Sequence, residues 1–187
     1  MTRQTPKPKA RNSTKKRPHK RKGPKPTKKG LRARLDQVFS WYMRLIHSDD
    51  VTGMGRCWTC DKEEHWTKLQ NGHFVSRTRY ATRWRPDNCR PQCYACNITR
   101  QGEQWKFGKK LNEHYGEGHA DRMFRLSERT YQPTTEIYEI YIDYYEAHCA
   151  SILARRAPYN RGSDRGVPKK LQGRVRMGGP RGEDTCS

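Results

Sequence analysis

The sequence of 187 residues contains no apolar run near 18 residues and no apolar segment of the kind found in signal peptides. A transmembrane helix needs about 20 consecutive apolar residues, so we expect neither a membrane-spanning nor a secreted protein. The seven cysteines then fit a reducing compartment better than a framework of disulfides. The sequence therefore predicts a protein of the cytoplasm.

Acidic residues are absent from residues 1–34, which hold fifteen Lys and Arg, and no large apolar residue lies between Met1 and Leu31. Residues 155–187 hold nine Lys and Arg against three acidic residues. Such segments cannot bury enough apolar surface to offset the entropy of ordering, so residues 1–33 and 155–187 are predicted to be disordered basic arms. Because cationic arms release counterions from polyanions, nucleic acid is the predicted partner.

The net charge of +21 comes wholly from the two ends, because residues 35–154 hold sixteen basic and sixteen acidic residues. One folded domain over residues 34–154 is therefore expected. Helical periodicity predicts a first helix with the apolar positions Leu31, Leu35, Val38, Phe39, Tyr42, Leu45 and Ile46. It also predicts a last helix with one face formed by Ile137, Ile140, Tyr141, Tyr144, Tyr145, His148 and Ile152. We interpret that face as packing against the first helix rather than stacking on bases.

Two Cys-x-x-Cys pairs are the most specific pattern in the chain. Cys57 and Cys60 form the first pair, Cys93 and Cys96 form the second, and 32 residues separate them. Four thiolates at these spacings can surround a zinc ion tetrahedrally, with Zn–S distances of about 2.3 Å. Cys89 could compete for the metal, but the Cys-x-x-Cys geometry favours Cys93 with Cys96. The sequence predicts a structural zinc site.

A hairpin-like segment with His73 lies between the two pairs, and Asn97 directly follows the last cysteine. This order resembles that of the HNH, or ββα-metal, nucleases, with His73, Asn88 and Asn97 as an H-N-N triplet. Residues from about 35 to 153 more closely resemble the NinG/Rap family of lambdoid phages. The resembling segments are CWTC, LQNGHFVSR, ATRWRPDNCRPQCYACN and KFGKKLNEHYG. The resemblance covers the neutral domain and neither arm.

The resemblance implies an α+β fold, in which a zinc-stapled treble-clef ββα-metal (HNH-like) core packs with flanking α-helices. It also implies a structure-specific DNA endonuclease of phage recombination, acting on branched DNA such as Holliday junctions or D-loops. The expected partners are branched DNA, a second copy of the chain in a homodimer, and recombination proteins. The expected location is the cytoplasm of the host cell.

The resemblance also assigns roles within the candidate site. His73 would be the general base, since a neutral imidazole suits that role at physiological pH. Asn97 would bind a catalytic Mg²⁺ or Mn²⁺, and Asn88 would orient His73 or its loop. Many HNH enzymes have an Asp directly before the catalytic His, where this chain has Gly72. Asn71 is then the nearest candidate for a further ligand of the metal.

Basic residues are concentrated around this segment, since residues 56–100 hold nine basic and four acidic residues. A positive patch beside His73 would lie where a phosphate backbone must dock. We expect DNA contacts from Arg77, Arg79, Arg83, Arg85 and Arg100. Arg77 and Arg83 are the expected phosphate clamps. Trp84 could either stack on an unpaired base or pack in the core.

Two other functions stay open at the level of sequence. One is a non-catalytic zinc-ribbon module that binds nucleic acid through its arms and arginines. The other is a site-specific HNH nuclease, of the homing or packaging type, that reads sequence rather than shape. His73 together with Asn97 favours an enzyme over a binding module, because a binding module requires neither residue.

Removal of residues 1–33 should weaken DNA binding and flatten its dependence on salt, because the deleted segment carries fourteen of the fifteen Lys and Arg residues of the N-terminal end. Cleavage at saturating protein should persist, since the arm contributes nothing to the reacting geometry. Binding isotherms at several salt concentrations and single-turnover cleavage test this. Loss of turnover at saturation, with normal zinc content, would place the arm in the active site.

Overall fold

The structure of the protein is a computed structural model that describes residues 26–156. Most of the N-terminal arm and nearly all of the C-terminal arm lie outside the described residues. Helix α1 (Lys28–Ile46) begins before Leu31, and Thr27 caps it by accepting a hydrogen bond from the Gly30 amide at 3.1 Å. Helix α1 therefore begins within the segment predicted as a basic arm, because this cap allows the helix to start among lysines.

Two small antiparallel sheets and three more helices follow α1. The strands are β1 (Met54–Arg56) with β2 (Glu63–His65), and β3 (Gln70–His73) with β4 (Cys89–Gln92). After a π-helical turn (Ala95–Thr99) come α2 (Gln104–Tyr115), α3 (His119–Ser127) and α4 (Thr135–Arg156). This mixture of helices and small sheets confirms the predicted α+β class. No helix within residues 26–156 is long and apolar enough to cross a membrane.

The main core lies between the first and last helices. Leu35, Phe39 and Met43 of α1 are almost fully buried against α4, where Ile142 and Cys149 are equally buried. The helices pack closely because both present large apolar side chains at helical spacing. This pairing of the two ends of the domain agrees with the sequence interpretation.

The buried face of α4 is nevertheless not the predicted one. Ile140, Tyr141 and Tyr144 are 61%, 38% and 51% exposed, whereas Tyr138 and Ile142 are buried. Only part of the predicted face, including Tyr145 and Ile152, points into the core. The prediction failed because apolar residues surround this helix, so periodicity alone could not identify which side meets α1.

The long segment between β3 and β4 is tied to α1 through one carboxylate. Asp36 Oδ1 accepts hydrogen bonds from Arg83 Nε at 2.8 Å and from Trp84 Nε1 at 2.9 Å, and its Oδ2 accepts from Arg83 Nη2 at 2.6 Å. Both donors are buried, with Arg83 9% and Trp84 6% exposed. Trp84 therefore packs in the core and is not available to stack on a base.

Replacing Asp36 with Ala should lower the free energy of unfolding by about 3 kcal/mol, the low end for a broken buried pair, because the buried Arg83 guanidinium would lose its counterion while Asp36 itself is 30% exposed. Glu63→Ala is the matched control, since the Arg56–Glu63 pair is exposed on both sides and its loss should cost less than about 1 kcal/mol. Urea unfolding followed by circular dichroism measures both. Equal losses in the two variants would contradict the anchoring role of Asp36.

Candidate functional site

The four cysteines of the two Cys-x-x-Cys pairs come together in space. Their Sγ atoms all lie within 4.8 Å of one another, and the Cys60 and Cys93 sulfurs are 3.8 Å apart. A tetrahedral zinc with Zn–S bonds of about 2.3 Å requires sulfurs separated by about 3.8 Å. The cluster could therefore hold a structural zinc without rearrangement of the backbone.

The two cysteine turns have the same backbone geometry. The amide of Asp61 donates to the Cys57 carbonyl at 2.9 Å, and the amide of Asn97 donates to the Cys93 carbonyl at 3.0 Å. Cys89 lies apart from this cluster, wholly buried in the α1–α4 core, where burial raises the pKa of its thiol. It is therefore not part of the metal site, in agreement with the preference for Cys93 and Cys96.

His73 ends β3, opposite Cys89 of β4. Its imidazole is partly exposed, and its Nε2 lies 3.1 Å from the Arg83 carbonyl oxygen. Because a carbonyl can only accept, Nε2 carries the proton and Nδ1 is the basic nitrogen of the neutral ring. Burial lowers the pKa of His73 below its usual value, against the opposing effect of the Arg83 and Asn71 carbonyls. The ring is therefore neutral at physiological pH.

Asn88 forms hydrogen bonds within the loop that contains Arg83, whose carbonyl oxygen accepts from His73. Its Oδ1 accepts from the Val75 amide at 2.8 Å, and its Nδ2 donates to the carbonyls of Val75 and Thr82, each at 3.0 Å. The side chain is fully buried, so it cannot touch a substrate. These contacts hold the loop at residues 74–88, as the orienting role predicted for Asn88 requires.

Asn97 lies on the π-helical turn directly after the second cysteine pair. Its Nδ2 donates to Gln70 Oε1 at 2.6 Å, which leaves its own Oδ1 as an acceptor. Short π-helical turns are frequent at functional sites. Gln70 and His73 lie three positions apart in β3, so the strand separates Asn97 from the imidazole. The two predicted catalytic residues flank β3 and do not contact each other.

Gly72 is a glycine because a neighbouring side chain fills the space above it. A Cβ atom on Gly72 would lie 2.1 Å from Gln92 Oε1. Gln92 is fully buried, and its Nε2 donates to the Gly102 carbonyl at 2.8 Å, while its Oε1 has no hydrogen-bond partner. An Asp at position 72 would therefore require displacement of Gln92, which explains why this chain departs from the HNH pattern.

The oxygen donors near Gly72 are neutral amides. Apart from the four cysteines, no cluster of three or more His, Cys, Asp or Glu residues with metal-binding geometry occurs in residues 26–156. The acceptor atom of Asn97 suits a divalent cation that takes its remaining ligands from water and substrate phosphate, whereas Gln92 is fully buried and cannot reach a substrate. Asn71, the other predicted ligand, lies on the His73 side of β3 by strand alternation, where its side chain contacts Cys89 and its Oδ1 has no hydrogen-bond partner.

The predicted DNA-binding arginines divide into two groups. Arg77 and Arg79 are exposed on the loop, and neither forms an ion pair among the described residues. Arg83 is buried in its pair with Asp36 and also donates to the Arg77 carbonyl. The role predicted for Arg83 as a phosphate clamp is therefore replaced by a structural one, because its donors are already used.

The side chains of Arg85 and Arg100 also form contacts within the protein. Arg85 Nη2 lies 2.7 Å from Asp87 Oδ2, in an ion pair that remains partly exposed. Arg100 Nη2 lies 2.7 Å from Cys96 Sγ, and its Nε pairs with Glu103. A guanidinium beside a cysteine sulfur stabilises the thiolate form that zinc requires. Arg100 thus supports the cysteine cluster rather than projecting toward DNA.

A comparison with protein families gives one match, to the model described as bacteriophage lambda NinG protein, over residues 1–154. The chain belongs to this family. The match includes the basic N-terminal arm, which the sequence resemblance had left out. Neither a curated protein nor a solved structure matches the chain.

Two polar residues of this NinG family member were not identified from sequence. Gln92 fills the space above Gly72, and Gln104 donates from Nε2 to the His73 carbonyl at 3.2 Å. Gln92 directly precedes Cys93, so its position next to the cysteine motif could have identified it from the sequence. Gln104 carried no such signal, because only the fold brings the start of α2 to the end of β3.

Purified protein should contain one zinc per chain, and its removal should abolish cooperative unfolding, because binding to such a site contributes directly to folding. Metal analysis and thermal melts measure the two properties. Cys57→Ser should lose the zinc, whereas Cys89→Ser should retain it, since Cys89 lies outside the cluster. Zinc lost in the Cys89 variant but kept in the Cys57 variant would overturn the ligand assignment.

Proposed function

We propose that this chain is a metal-dependent endonuclease that hydrolyses phosphodiester bonds in branched DNA during phage recombination. The observation that carries the proposal is the state of His73, a neutral and partly exposed imidazole with a fixed tautomer. Membership of a phage family and the basic arms support the biological setting and the nucleic-acid substrate.

His73 would act through Nδ1. Its Nε2 proton is held by the Arg83 carbonyl, so Nδ1 is the nitrogen that can take a proton from an attacking water. The lowered pKa keeps that nitrogen unprotonated at physiological pH. Because Asn88 and Asp36 fix the loop that supplies this carbonyl, the direction of the ring is set before substrate binds.

A divalent cation would be held on the other side of β3 by Asn97, with its remaining ligands from water and the scissile phosphate. When bound, it would act as a Lewis acid that stabilises the departing 3′ oxygen. Neutral amide ligands bind such a cation weakly, so the protein and the scissile phosphate would hold it together. The phosphate must then lie across β3, within reach of both His73 at the end of the strand and Asn97 beside its first residue, Gln70.

The exposed loop arginines would hold the flanking phosphates. Arg77 and Arg79 project from the loop whose backbone is fixed by Arg83 and Asn88. Contacts of this kind give affinity without sequence specificity, which suits an enzyme that recognises branched shape. Incubation of the full chain and Mg²⁺ with a four-way junction, beside a linear duplex of the same sequence, tests the proposed substrate directly.

His73→Ala should lower the rate of junction cleavage by about 10²–10⁴-fold, the range for removal of a general base. DNA affinity and zinc content should stay near those of the wild type, because His73 lies outside the cysteine cluster and makes no phosphate contact in this proposal. Single-turnover cleavage, filter binding and metal analysis measure the three properties.

Asn97→Ala is the companion variant. Its activity should fall and then recover in part at higher Mg²⁺ or Mn²⁺, since mass action offsets a weakened ligand. His73→Ala should show no such recovery, because additional metal cannot replace a missing base. Cleavage by His73→Ala at the wild-type rate would refute the catalytic assignment and favour a non-catalytic zinc-ribbon module that binds nucleic acid.

A further inference from the structure

An open cavity of about 610 Å³ lies between α2 and α3, next to the end of β3. Three of the residues that line it are aromatic: Phe74, Trp105 and Phe124. Trp105 is 78% exposed and Phe124 is 52% exposed, so two large rings face solvent at one site. Isolated exposed aromatics are ordinary, but aromatic rings that share one cavity indicate a ligand.

The shape of the cavity depends on a glycine. A Cβ atom on Gly108 would lie 2.8 Å from Phe74 Cε2, so only glycine allows the Phe74 ring to lie directly against α2. Phe74 in turn contacts Phe124 edge to face, with ring centroids 5.0 Å apart. The apolar floor of the cavity is therefore held in place by packing and does not need a ligand to form it.

The polar groups at the rim have unused hydrogen-bonding capacity. Asn112 Oδ1 already accepts from the Ala120 amide at 2.8 Å, so its Nδ2 is left as a donor. Gln104 Nε2 donates to the His73 carbonyl, so its Oε1 is left as an acceptor. The carboxylates of Glu113 and Glu117 add further acceptors at the rim. The ligand must present flat apolar faces together with a polar edge that both donates and accepts.

The position of the cavity points to DNA. Gln104 joins its rim to the backbone of His73, and Phe74 is the next residue in the chain. Lys109 extends over the Trp105 ring, with Nζ 5.8 Å from the ring centroid, and its exposed ion pair with Glu113 is loose, at 4.0 Å, so a phosphate that follows a stacked base could compete for it. The two rim carboxylates disfavour phosphate inside the cavity itself, so the base rather than the backbone must enter.

We propose that this cavity binds one unstacked nucleobase of a strand that passes His73, a conclusion that rests on the proposed function. Trp105 and Phe124 stack on or beside the base, and Asn112, Gln104 and the carboxylates meet its polar edge. Bases with an exocyclic amine fit these acceptors better than thymine, which has no such amine. Unpaired bases are accessible at branch points and not in a continuous duplex, so the cavity selects branched or distorted DNA.

The test compares two duplexes that differ only by one unpaired adenine, bound by the full chain without added divalent metal. Fluorescence anisotropy should show tighter binding to the duplex with the unpaired base. Trp105→Ala should reduce that preference by about 5- to 100-fold, the range for loss of one base–aromatic stack, and Phe124→Ala should reduce it as well. A thymine in place of the unpaired adenine should bind less tightly.

Tyr144→Ala is the matched control. The exposed fraction of Tyr144, 51%, is close to the 52% of Phe124, but Tyr144 lies on α4 outside the cavity. It should leave the preference unchanged. Photocrosslinking of a 5-iodocytosine at the unpaired position, followed by mass spectrometry, should identify Trp105. Thermal melts show whether each variant is folded.

Equal binding of both duplexes by the wild type would overturn the proposal, as would an equal loss of affinity for both in Trp105→Ala. Variants that bind both duplexes like the wild type would indicate a different occupant, such as a side chain of a partner protein, and would also overturn it. Since no cleavage is measured, an inactive wild type on four-way junctions would refute the proposed nuclease function and leave this binding result intact.

Discussion

The convergence of four cysteine sulfurs is the constraint on which the candidate site depends. The two cysteine turns are far apart in sequence, and between them lie β2, β3, β4 and the loop that faces His73. Drawing these turns together brings the start of β3, at Gln70, beside the π-helical turn that carries Asn97. With a zinc ion bound, the arrangement would be held by metal–sulfur bonds rather than by a large apolar core.

Buried polar side chains fix the loop between β3 and β4. Asn88 satisfies three backbone groups of the loop, and Asp36 receives both Arg83 and Trp84 from the same loop. Such networks impose one geometry, since a shift of the loop would leave buried donors and acceptors unpaired. The same rigidity sets the tautomer of His73 and displays Arg77 on the surface. The hydrogen bonds that fix the loop therefore also determine the tautomer of His73 and the exposure of Arg77.

The arginines show how composition and structure carry different information. The excess of basic residues over residues 56–100 indicated an interface with a polyanion, but it could not distinguish exposed arginines from buried ones. Arg83 pairs with a carboxylate 47 positions earlier, on α1, and Arg100 meets the sulfur of Cys96. Arg77 and Arg79 alone of the predicted set are exposed without an ion pair among the described residues. A partner distant in sequence decided the case of Arg83, whereas Arg85 and Arg100 pair with groups within four residues of them.

The sequence by itself determined the features whose cause is local. The spacing within each Cys-x-x-Cys pair indicated a metal site, and helical periodicity located the helices at both ends of the domain. Tertiary structure decided the face of α4 that is buried, the filling of the space above Gly72 by Gln92, and the cavity beside Trp105. These features depend on contacts between side chains of separate elements, which form only after the chain has folded. No periodicity or short motif in the sequence encodes such contacts.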